Sequence, residues 1–104
     1  MKVLGRTDKM GYALAPKELV NRRLKVRFMY REQPDNDQDS GWRFFSGYET
    51  DEYVNDPDNI GLYDVSTISQ IDGDIVKYLD SPPGSAFERE RERQPFVKAE
   101  GFFQ

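Results

Sequence analysis

Gly41-Trp42-Arg43-Phe44-Phe45-Ser46-Gly47 is the stretch that decides the fold. Two glycines bracket a run rich in aromatic residues, a composition suited to a pleated, half-buried strand. In an extended chain Trp42, Phe44 and Ser46 share one face and Arg43 and Phe45 the other. Aromatics on both faces predict a central strand, buried on one side and partly covered on the other. Trp42 is then core material rather than a binding platform.

Upstream, Leu24-Lys25-Val26-Arg27-Phe28-Met29-Tyr30-Arg31 alternates apolar and polar residues with period two. The pattern predicts a strand with Leu24, Val26, Phe28 and Tyr30 toward the core and Lys25, Arg27, Met29 and Arg31 away from it. Tyr12-Ala13-Leu14-Ala15 reads as a short strand, and Pro16 opens a short helix through Val20. Residues 33–40 form a loop broken by Pro34. Downstream, residues 47–59 read as an acid-rich loop held by Tyr53 and Val54. Ile60-Gly61-Leu62-Tyr63 reads as a short strand or extended link. Asp64 and Asp72 are placed to cap two short helices, with Asp74 set against the dipole of the second. Their apolar stripe is Val65, Ile68, Ile71, Ile75 and Leu79.

Pro82-Pro83-Gly84 ends that section in a turn. Ala86-Phe87-Glu88-Arg89-Glu90 and residues 94–100 then predict a terminal hairpin. If extended, residues 88–93 put acids on one face and bases on the other. Residues 1–10 read as loosely ordered. Gly101-Phe102-Phe103-Gln104 is a tail that either docks on the core or is disordered. The expected architecture is α+β: a small, mostly antiparallel sheet with two or three short helices packed on one face. It forms one domain over residues 1–104, with its core at about residues 12–100.

Composition narrows the function. The net charge is −4, with lysines and arginines scattered among more numerous acids. That distribution argues against a nucleic acid partner and against an anionic membrane, since both need a basic stripe. It favours a basic protein partner. Without cysteine or histidine, the chain has no disulfide, no zinc–thiolate site, no thiol nucleophile and no histidine base. The mean hydropathy of −0.84 describes a polar shell around a modest core. No apolar run is long enough to span a bilayer. The amino-terminal residues lack a secretory apolar segment, so the expected compartment is the cytoplasm.

Four constellations in the chain could form sites. Asp35, Asp37 and Asp39 alternate like the start of a calcium loop, yet Ser40 stands where glycine is wanted and Ser46 where a bidentate glutamate is wanted. The segment reads as a solvated acidic turn, and those three aspartates would be the ligands if calcium bound. The acids from Glu49 to Asp58 suit either a hydrated loop or an electrostatic docking face; general acid/base chemistry would need a cleft that the sequence does not show. Arg43 reads as a tie that pins this acidic loop to the sheet through an acid such as Asp51, with a binding role as the alternative. Ser85 has no base to activate it. No catalytic residue, metal site or cofactor is assigned.

The ordered motifs Ser40-Gly41-Trp42-Arg43-Phe44-Phe45-Ser46-Gly47, Asp51-Glu52-Tyr53, Asn55-Asp56-Pro57-Asp58-Asn59-Ile60-Gly61, Tyr78-Leu79-Asp80-Ser81-Pro82 and Gly84-Ser85-Ala86-Phe87-Glu88-Arg89 resemble a family of small bacterial domains. That family is grouped with predicted immunity proteins of polymorphic toxin systems, as immunity protein family 33. The resemblance spans residues 12–89. It implies an α+β fold in the bacterial cytoplasm and no catalytic residues to carry over.

Three functions follow as expectations. The first is a non-enzymatic immunity-like protein that binds a cognate toxin or another protein, with Asp51, Glu52, Asp56, Asp58 and Arg43 as contacts. The acids would mimic an anionic substrate or meet a basic groove. The second is a housekeeping small-molecule-binding or regulatory domain. The third is a carboxylate-based hydrolase, for which the sequence supplies no constellation. Oligomeric state is left open.

Overall fold

The strand around Trp42 lies inside the sheet, with strands hydrogen-bonded on both sides. The structure is a computed structural model and describes residues 10–99. Expectations for residues 1–9 and for the tail Gly101-Phe102-Phe103-Gln104 lie outside the described residues. In chain order the elements are β1 (Tyr12–Pro16), α1 (Lys17–Asn21), β2 (Phe28–Arg31), β3 (Asp39–Phe45), α2 (Asp51–Asn55), a 3-10 turn (Pro57–Asn59), β4 (Ile60–Asp64), α3 (Val65–Ile71), a 3-10 helix (Gly73–Tyr78), β5 (Ala86–Glu88) and β6 (Val97–Lys98).

The six strands form one sheet in the order β4-β1-β3-β2-β5-β6. It is mixed, which corrects the expectation of a mostly antiparallel sheet. The chain leaves β1 through α1, skips one position to lay down β2, and folds back as β3 into the gap. That return makes β3 antiparallel to β2 and therefore parallel to β1. The helices are also more numerous than expected, with three short α-helices and two 3-10 segments among the described residues.

The core lies on one face. Trp42, Phe44, Met29, Leu19, Ile68, Ile75 and Leu79 are all fully buried, and each such side chain contributes about 1.5–3 kcal/mol relative to exposure. The stripe Val65, Ile68, Ile71, Ile75 and Leu79 is buried as the spacing predicts. The Trp42 indole stacks on Phe44 with centroids 5.9 Å apart and donates its N–H to the Leu79 carbonyl at 3.2 Å. A buried indole needs such a partner.

The face assignment of β2 is corrected. Met29, not Phe28 or Tyr30, points into the core, opposite Phe44 and Phe87. Val26 is buried too, but it lies three positions before Met29, and a regular strand cannot place both on one side. The regular strand begins only at Phe28; ahead of it, the Val26 N–H donates to the Asp72 carboxylate at 2.9 Å. The parity breaks there. Phe28, Tyr30 and Phe45 consequently gather on the opposite face, half-buried, with centroids 5.7–6.3 Å apart.

Capping follows the sequence in one place and departs from it in another. Asp72 accepts from the Asp74 N–H at 3.0 Å, as a cap should. Asp64 precedes α3 but makes no side-chain cap bond. The terminal hairpin forms as read, with Phe87 opposite Lys98 and Glu88 opposite Val97, though with shorter strands. Arg89 does not join a solvated charge ladder. It turns inward to pair with Asp72 at 2.6 Å and Asp74 at 2.9 Å, 4.2 Å from the Phe96 ring centroid.

Candidate partner-binding surface

The end of β3 turns sharply at Gly47, whose φ of +89° suits glycine. Glu49 locks this turn. Its carboxylate accepts from the Ser46 N–H at 3.0 Å, the Ser46 hydroxyl at 2.6 Å and the Gly47 N–H at 3.0 Å. The Ser46 hydroxyl oxygen in turn accepts from the Tyr48 N–H at 3.2 Å. Tyr48 is therefore held by a bonded turn while the residue stands 60% exposed.

Beyond the turn, residues expected to form a loop are mostly helical. Thr50 caps α2, its hydroxyl accepting from the Tyr53 N–H at 3.1 Å. Asp51 and Glu52 occupy the first turn, where the helix dipole favours negative charge. Asp56 caps the following 3-10 turn by accepting from the Asp58 N–H at 3.0 Å. The Tyr53 hydroxyl accepts from the Glu18 N–H at 3.1 Å and so ties the segment to α1. Tyr53 is only half-buried, and α2 buries no residue at all. This segment sits on the rim of the domain.

Asp51, Glu52, Asp56 and Asp58 are all exposed. Among the described residues none of them belongs to an ion pair. Among the same residues no three acids converge as a metal site would require. Asp35 and Asp37 are exposed, whereas Asp39 is buried and committed elsewhere. The arrangement is a charged rim. Beside it lies a cleft of about 220 Å³, with Glu18, Arg22 and Leu24 on one wall and Tyr48, Thr50 and Tyr53 on the other.

Arg43 does not tie this segment to the sheet, which corrects the expected pairing with Asp51. Its side chain is 3% exposed and pairs with Asp39 at 2.9 Å and Glu32 at 2.7 Å. Both terminal nitrogens of Arg43 donate to the Asp39 carboxylate at 2.9 Å, a bidentate arrangement. The chain path creates this pair. Gly41 has a φ of +86°, a Cβ there would collide with the Glu32 carbonyl, and the β1–β3 register shifts at this point. The irregularity brings Asp39 alongside Arg43. Burial alone would push the Asp39 carboxyl up. The Arg43 guanidinium and the N–H groups of Asp35 and Gly41 outweigh it and hold the carboxyl at about 2. Burial would likewise lower Arg43, but Asp39 and Glu32 raise it further above its ordinary value.

Two features of this surface have little or no sequence signal. Nothing in the local pattern marks Tyr48, because a lone aromatic in a polar turn has no periodicity. Thr50, three residues before Tyr53, is a capping signal for α2, but five residues without an apolar stripe do not read as a helix.

The fold is a small α+β domain with a mixed six-stranded sheet. The chain belongs to the Immunity protein Imm33 domain family, whose model matches residues 13–100. No curated protein and no solved structure matches the chain. Among the described residues no helix is long and apolar enough to cross a membrane.

Proposed function

We propose that this protein is a non-enzymatic immunity protein that neutralises a toxin by binding it, and that the acidic rim from Asp51 to Asp58 is the contact surface. The observation that carries the reading is the set of exposed, unpaired carboxylates of Asp51, Glu52, Asp56 and Asp58 on a capped helix and turn. Charges left free by the domain's own basic groups remain available to a partner, and they steer encounter with a basic surface. The partner would be a toxin with a basic groove, such as one that handles an anionic substrate. Arg43 enters this reading from within, as the buried charge that holds Glu32 at the surface. Family membership supports an immunity role.

The test pairs this protein with each toxin domain that the genes adjacent to its own encode; the absence of any such gene counts against the reading. Wild-type protein should bind one of them and restore growth when the two are co-expressed. Reversing Asp51, Glu52, Asp56 and Asp58 to lysine should abolish both effects without unfolding the domain. Added salt should slow association. Failure of the wild type to bind or protect removes the immunity reading; full protection by the lysine variant removes the acidic rim from it.

The small-molecule reading has the cleft beside α1 in its favour. At about 220 Å³ it is smaller than ordinary ligand pockets, which run from about 300 to 1,000 Å³.

A further inference from the structure

Arg27 stands apart from the other arginines that are at least half-buried. Arg31 donates to main-chain carbonyls, and Arg43 and Arg89 have carboxylate partners. The Arg27 guanidinium has neither among the described residues, and its buried Nε has no hydrogen-bond partner. Its main chain is fixed, with the N–H donating to the Phe45 carbonyl and the C=O accepting from the Arg89 N–H, each at 2.9 Å. Its head group is held as well. It packs against Gly47, where a Cβ would lie 3.1 Å from its central carbon, and its Cζ is 5.4 Å from the Tyr48 ring centroid. A guanidinium whose position is already set loses little freedom when it takes a ligand.

Arg27, Tyr48, Arg91 and Arg93 line a concavity of about 370 Å³, together with Glu90 and Glu92. Three cations face two carboxylates there, and Glu92 already accepts a long hydrogen bond of 3.5 Å from the Tyr48 hydroxyl. The surplus is one positive charge. A singly charged planar oxyanion matches that surplus and the fork of a guanidinium. A carboxylate would leave the concavity neutral, whereas a doubly charged phosphate would leave one negative charge uncompensated beside Glu90 and Glu92.

We propose that the concavity beside Arg27 and Tyr48 is a receptor for a carboxylate, an aspartate or glutamate side chain of the bound partner protein. The identity of that occupant rests on the toxin-binding reading; the chemistry of the receptor does not. The Tyr48 ring borders both this concavity and the cleft beside α1. The partner would therefore meet acidic groups on one flank of Tyr48 and a basic receptor on the other. Two contacts of opposite sign allow only one orientation of a complementary surface. Exposed tyrosine and arginine together are also the residue types that dominate interface energetics.

Two measurements test the receptor. In the free protein, the arginine Nε–H signals are followed by nuclear magnetic resonance while acetate replaces chloride at constant ionic strength. A saturable shift at Arg27, absent at the Glu18-paired Arg22, is expected. A non-saturating shift no larger than that of exposed Arg23 would overturn the receptor. Saturation by sulfate at a lower concentration than acetate would overturn the choice of carboxylate. The second measurement is calorimetric titration with a toxin domain that the growth test above shows this protein to neutralise. Arg27→Gln should weaken binding about tenfold to a hundredfold, the cost of losing a charge-assisted pair. Arg27→Lys should recover only part, because an ammonium cannot form the fork. Wild-type affinity in Arg27→Gln, with the fold intact by circular dichroism, overturns the proposal. A wild type that neutralises no toxin overturns the immunity reading instead, and the acetate result alone then decides whether the receptor exists.

Discussion

Asp39 and Asp51 are the same residue in opposite circumstances. Asp39 is buried in β3 and engaged by Arg43 and two backbone N–H groups. Asp51 is exposed in the first turn of α2 and belongs to no ion pair among the described residues. The difference shows how this acidic chain divides its carboxylates. The two buried aspartates each pair with a buried arginine, Asp39 with Arg43 and Asp72 with Arg89. The carboxylates on the α2 rim have no basic partner among the described residues, and the dipole of a five-residue helix and the Asp56 cap give them only a small part in stability.

The largest test of that contrast is Asp39→Ala. It leaves Arg43 buried beside Glu32 alone, and stranding a buried charge costs about 3–5 kcal/mol. Urea denaturation should show a loss of that size, and an unchanged midpoint would erase the distinction between the two regions. Acid comes next. The Asp39 carboxyl is held at about 2, below its ordinary 3.8. Its contribution is therefore fully present above about pH 4 and is lost as pH falls toward 2. The lowered value corresponds to roughly 2 kcal/mol. Urea midpoints measured between pH 6 and pH 2 should show this loss in the wild type and a smaller one in Asp39→Asn. A smaller effect is expected on the rim itself. Thr50→Ala removes the α2 cap and should cost about 1 kcal/mol, seen first as faster amide exchange in residues 51–55. The smallest is Asp51→Asn with Glu52→Gln, which removes only a favourable dipole contact at the end of a short exposed helix and should lower stability by less than about 1 kcal/mol. A larger loss there would mean that the rim is structural after all.

The Trp42 strand and the buried stripe from Val65 to Leu79 were legible because each carries a period that only one structure satisfies. The facing of β2 was not. Alternation in residues 24–31 is continuous in sequence, but the regular strand starts at Phe28, and the break depends on a bond from Val26 to Asp72, 46 residues away. Arg43 was recognisable as a structural arginine, while its partner was not, because the irregularity at Gly41 moves Asp39 next to it. The acids of the rim could be named from the chain alone. Tyr48 and Arg27 could not, since their juxtaposition comes from the turn at Gly47.

Trp42 is the only tryptophan in the chain, and it is fully buried against Phe44 with its N–H bonded to Leu79. Its fluorescence therefore reports one event. Emission should be blue-shifted in the native protein and move to the red only when the whole core opens to water. The exposed tyrosine at position 48 belongs to a different part of the molecule and absorbs at shorter wavelength. A single cuvette thus separates unfolding, read at the indole, from events at the surface that leave the indole dry.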